Sequence, residues 1–115
     1  MGDYKYRGFG LNIESEIALP ELIPHHFQNP DIVIRTGAVP PEIEAAKAEN
    51  KVGVSISPTE YLFRIAGIAA YYACNGNKIV ISPEPLADDK SIRVFLLDNV
   101  IAALLLQRNL IALNA

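Results

Sequence analysis

The stretch Ser91-Ile92-Arg93-Val94-Phe95-Leu96-Leu97-Asp98-Asn99-Val100-Ile101-Ala102-Ala103-Leu104-Leu105-Leu106-Gln107-Arg108-Asn109-Leu110 decides the fold. From Ile92 to Leu106 it reads as one almost unbroken apolar helix. Lys90, Arg93, Asp98 and Asn99 give its first half polar positions, whereas Val100 to Leu106 is apolar on every side. The run is shorter than the ~20 apolar residues that span a bilayer, and it carries Arg93, Asp98 and Asn99, so it is a buried helix and not a membrane span. A single sheet covers one face of such a helix. The uncovered apolar surface therefore calls for a partner. The expected interface is Phe95, Leu96, Val100, Ile101, Leu104 and Leu105, and the expected occupant is a second copy of the chain or another domain.

Upstream, Pro83 and Pro85 close a sheet region, and Asp88 or Asp89 is placed to cap the helix. Four β-like runs precede them: Val52 to Ile56, Glu60 to Ile65, Ile68 to Cys74 and Lys78 to Ile81. The short connections Ala66-Gly67 and Asn75-Gly76-Asn77 force antiparallel hairpins. Between Leu11 and Leu19, Leu11, Ile13, Ile17 and Leu19 alternate with Asn12, Glu14, Glu16 and Ala18, the period of a strand with one wet face, interrupted at Ser15. Pro20, Pro24 and the polar residues His25 to Pro30 make a loop, and Ile32-Val33-Ile34 a second strand. Pro40-Pro41 and the acids after them favour a short peripheral helix over Glu42 to Glu49. The predicted fold is thus α+β, with an antiparallel sheet of about five or six strands, including a meander, packed on one long C-terminal helix.

The 115 residues make a single domain, 1–115, large enough to fold without metals or disulfides. Half of the residues are hydrophobic and a fifth charged, which excludes a disordered chain. The formal charge of −3, with acids and bases interspersed, provides no face for nucleic acid. One cysteine, Cys74, permits no internal disulfide, and Met1-Gly2-Asp3-Tyr4-Lys5 opens no signal-type apolar run, so the expected compartment is the cytoplasm.

Several residues could carry chemistry. His25 and His26 lie near Glu21 and Asp31, but adjacent histidines rarely share a metal and no third ligand stands at a recognised spacing. Cys74 ends an apolar strand, the setting of a packing thiol and not of a nucleophile. Glu14 and Glu16 share a strand face, where solubilising carboxylates are commoner than an acid/base pair. Tyr61, Phe63, Tyr71 and Tyr72 are placed to pack the sheet on the helix. Nothing in the sequence brings Arg64, Arg93 and Arg108 together. No Gly-x-x-x-x-Gly-Lys loop is present, and Gly8-Phe9-Gly10 opens a strand and marks a bulge or close backbone approach. No catalytic, cofactor-binding or metal-binding residue is assigned.

The helix stretch resembles the segment just before the P-loop kinase domain of bacterial HPr kinase-related (HPr serine kinase/phosphorylase-like) proteins. Tyr6-Arg7-Gly8-Phe9-Gly10-Leu11-Asn12-Ile13-Glu14-Ser15-Glu16-Ile17-Ala18-Leu19-Pro20-Glu21-Leu22 is similar to that family's opening strand and Leu-Pro-Glu-Leu turn. Asp31 to Arg35, Glu60 to Ile65, Ile79 to Pro83 and Ala87-Asp88-Asp89 follow in the family's order. Leu113-Asn114-Ala115 stands where the family has Leu-His-Ala, so that histidine's role does not carry over. The resemblance implies a non-catalytic accessory or oligomerisation domain that orients or assembles a P-loop kinase domain. The alternatives are a peptide-binding module that adds a strand beside Leu11 to Leu19, or an enzyme whose site forms between subunits around His25, His26 or Cys74.

Overall fold

The computed structural model describes residues 3–43, 49–51 and 53–114. It is α+β. Among the described residues a sheet of nine strands runs in the order β3-β1-β2-β4-β9-β8-β7-β6-β5, and one helix follows it in sequence. The strands are β1 (Tyr4–Gly8), β2 (Leu11–Ser15), β3 (Ile23–Pro24), β4 (Ile32–Thr36), β5 (Glu49–Lys51), β6 (Val54–Ile56), β7 (Glu60–Ile65), β8 (Ala69–Cys74) and β9 (Lys78–Pro83). Of the short helix expected over Glu42 to Glu49, residues 44–48 lie outside the described residues, Glu42 and Ile43 are not helical, and Glu49 belongs to β5.

The sheet is mixed, which corrects the antiparallel expectation. β7, β8 and β9 form the expected hairpins, with Tyr61 opposite Ala73 and Tyr71 opposite Ile81. β4 instead runs parallel to both neighbours, pairing Ile13 with Ile32 on β2 and Ile34 with Ile79 on β9. Residues 16–31 form a connection long enough to cross over, and crossing over is what a parallel pair requires. The extra strands come from short hairpins. Phe9 and Gly10 both have positive φ, 55° and 74°, the geometry of the two-residue turn that joins β1 to β2. At Gly8 an added Cβ would lie 2.9 Å from Leu22, so the loop packs directly on that backbone.

β2 is hydrogen-bonded on both sides, to β1 and β4, so the segment from Leu11 is interior and not the free edge expected of a strand-adding module. The outer strands are β3, which ends in a proline that lacks an N–H, and the three-residue β5. The alternation seen in sequence stops at Ser15, whose buried hydroxyl donates to the Ile17 carbonyl and accepts from the Ile17 N–H. The chain turns there. Leu19 drops into the core, where its N–H donates to the Tyr6 hydroxyl at 2.8 Å.

One sheet face carries Ile13, Ile34, Ile79, Ile81, Tyr71 and Ala73, all fully buried beneath the helix. The helix comprises α1 (Asp89–Phe95), a wide π turn (Leu96–Val100) and α2 (Ile101–Asn114). Asp88 caps it, its carboxylate accepting from the Ser91 N–H at 3.0 Å and from the Ser91 hydroxyl. The π turn has a packing cause. Ile92 and Leu104, both buried, are twelve residues apart, and at about 100° per residue a plain α-helix would set them about 120° out of phase. Absorbing one extra residue in the wide turn recovers about 100°, so both reach the sheet.

This register corrects the expected interface. Leu96, Val100, Ile101 and Leu104 are fully buried against their own sheet, and Phe95 and Leu105 are partly buried around the same core. None of the four is available to a partner. The sheet is broad enough to cover them, and the outward side of the helix is a different set of residues: Lys90, Val94, Asp98, Ala102 and Leu106.

Candidate functional site

The residues singled out in sequence are used mainly to hold the fold together. Glu21, in the Leu19-Pro20-Glu21-Leu22 turn, takes both of its carboxylate oxygens to the Arg93 Nε, at 3.1 and 2.9 Å. That pairing ties the turn to the first turns of the helix, and the Arg93 bond holds the Glu21 carboxyl below its ordinary range.

The far end is held by Gln107 and Arg108. Gln107 is buried, with its Oε1 accepting the Gly76 N–H at 3.0 Å and its Nε2 donating to the Ala73 carbonyl at 3.1 Å. Arg108 donates to the Gly76 carbonyl at 2.8 Å. The Asn75-Gly76-Asn77 turn between β8 and β9 fits beneath them because Gly76 has φ +68° and no Cβ, which would sit 2.7 Å from Arg108 Cγ. A glutamine within an apolar helix was the available sequence signal for this clamp. Its partner, a hairpin turn, was not legible from spacing.

A cleft of about 520 Å³ opens at the carboxyl ends of the parallel strands β2, β4 and β9, beside the start of the helix. Ile17, Ile81 and Ile92 form its floor, with Glu16, Glu84 and Asp89 on its walls. Glu16 accepts from both the Thr36 N–H and hydroxyl, which lowers its pKa. Arg93, also on the wall, is committed to Glu21. Among the described residues the lining has no cysteine, histidine or lysine.

The other candidates stay apart. His25 and His26 are exposed beside Asp3 and Lys5, and the His25 N–H donates to the Lys5 carbonyl. Among the described residues no three His, Cys, Asp or Glu side chains converge as metal ligands. Burial pushes the Cys74 thiol up, away from thiolate. Glu14 is bound to Arg35 at 2.9 Å, and that bond depresses its pKa, while Arg35 also pairs with Asp3. Glu14 and Glu16 therefore have separate partners and do not form an acid/base pair. Arg64 donates to the Pro40 and Pro41 carbonyls, so the three singled-out arginines remain in three places.

Tyr71 is buried, and its hydroxyl donates to the Ile92 carbonyl at 2.8 Å, joining sheet to helix. Phe63 stacks on Tyr71 and meets Phe95 edge-on. Tyr72 lies on the opposite sheet face, where its hydroxyl donates to Glu60 at 2.6 Å. No helix among the described residues is long and apolar enough to cross a membrane.

No protein-family model matches the chain, and no curated protein or solved structure matches it at a significant level.

Proposed function

We propose that this chain is a non-catalytic accessory domain of the HPr kinase-related type, and that its task is to hold a P-loop kinase domain in a fixed orientation. The observation that carries this reading is the clamp on the helix end: Gln107 and Arg108 bind the β8–β9 hairpin through three hydrogen bonds. A helix pinned at Gln107 and Arg108 transmits the orientation of the sheet to a domain joined to it. The resembling residues Glu21, Arg93 and Gln107 are spent on internal bonds, as scaffold residues are. On this reading the protein is bacterial and cytoplasmic, and the nucleotide is held by the partner domain.

The test is a fusion of an HPr-kinase-type P-loop domain after Ala115, studied by small-angle scattering. The reading expects one rigid particle that becomes flexible when four glycines are inserted after Asn109 or when Gln107→Ala loosens the clamp. Two domains already moving independently in the parent fusion would overturn it.

A further inference from the structure

We propose that the outward side of the helix pairs with the same side of a second copy of the chain, the two helices running antiparallel about a twofold axis at Val94. Lys90, Val94, Asp98, Ala102 and Leu106 lie along this side, all exposed. Val94 is 42% exposed and Leu106 54%, and both lie on this side of the helix with Ala102 between them. An apolar stripe of this kind on a folded domain calls for cover.

The charges select the occupant. Lys90 and Asp98 stand four residues to either side of Val94, and neither is in an ion pair among the described residues. An antiparallel pair centred on Val94 brings Lys90 of each copy against Asp98 of the other, which makes the surface complementary to itself. A parallel pair would set lysine on lysine and aspartate on aspartate. The π turn contributes as well, because it swells the outer surface at Asp98 and Asn99, both exposed.

This inference rests on the reading of the chain as an assembly domain, but it makes no use of the P-loop partner. It is tested on the whole chain by sedimentation equilibrium at high micromolar concentration, with circular dichroism as the check of fold. The wild type is expected at twice the 12.6 kDa chain mass. Lys90→Glu or Asp98→Lys alone should weaken the dimer on the order of tenfold, and the two together should restore it. Val94→Asp should give a folded monomer. A wild-type monomer, or a dimer indifferent to both single reversals, would overturn the proposal. So would a monomer whose Val94 and Leu106 resonances move only when a P-loop domain is added, which would assign the face to that partner and leave the accessory reading standing.

Discussion

The side chain of Gln107 spans the β8–β9 hairpin, accepting from Gly76 and donating to Ala73 across its mouth, so the helix end and the hairpin turn are one hydrogen-bonded unit. Removing that side chain takes a partner from the buried Gly76 N–H and from the Ala73 carbonyl at once. Gln107→Ala should therefore cost about 1–3 kcal/mol, more than a surface substitution, because the buried Gly76 N–H loses its partner. Urea unfolding followed by circular dichroism measures it, and a change under about 0.5 kcal/mol would mean the two bonds do not hold the helix.

Gly76 and Gly67 provide a matched pair. Both have positive φ, +68° and +79°, but an added Cβ meets Arg108 at Gly76 and open space at Gly67. Gly67→Ala should cost only the backbone strain of about 1–2 kcal/mol. Gly76→Ala should cost clearly more in the same titration, since the Arg108 backbone nitrogen and Cα at 3.2 Å cannot swing aside as a side-chain tip can. Equal costs would contradict the close docking.

The π turn makes a prediction about chain length. Deleting Asn99 leaves Ile92 and Leu104 about 20° from alignment in a plain α-helix, so the deletion should fold with stability within about 1 kcal/mol of wild type. An alanine inserted after Asn99 should swing Leu104 and Gln107 about 100° off the sheet and cost upwards of about 3 kcal/mol. Thermal melts of both variants check this, and a deletion worse than the insertion would refute the phase argument.

Stability should fall at both ends of the pH range. Glu14, Glu21 and Asp88 have pKa values lowered by Arg35, Arg93 and Ser91, so their contribution is present above the ordinary carboxylate values and is lost as pH drops through the lower folded ones. Burial pushes the Tyr71 hydroxyl from 10.0 up to about 12, which favours the neutral form in the folded state. Its contribution is complete below pH 10 and is lost between pH 10 and about 12, as the unfolded chain ionises first. Melting temperatures across pH test both limbs, and Tyr71→Phe should shrink the alkaline one.

Much of this arrangement was legible in the sequence. The hairpins of β7, β8 and β9, the Asp88 cap and the buried long helix follow from Gly-Asn turns, a cap residue and an apolar run, all local signals. The parallel placement of β4 was not legible, because Ile32-Val33-Ile34 reads the same in either direction. The β1–β2 hairpin was missed because its turn puts Phe9, a residue uncommon at positive φ, beside Gly10. The outward-facing assignment of Leu96, Val100, Ile101 and Leu104 failed because the sheet is broader than five or six strands, and the π turn that keeps these residues on it has no propensity signal. Gln107 showed as a polar residue in an apolar helix, but its role depends on a hairpin more than thirty residues earlier in the chain.

The proposed role, presenting a fixed helix end to a nucleotide-binding partner, is tested most directly by titration calorimetry. An HPr-kinase-type P-loop domain titrated into the whole chain should bind one to one, Gln107→Ala should weaken that binding, and ATP-Mg titrated into the chain alone should give no heat of binding. Saturable binding of ATP by the chain alone, or no complex with the P-loop domain, would contradict it.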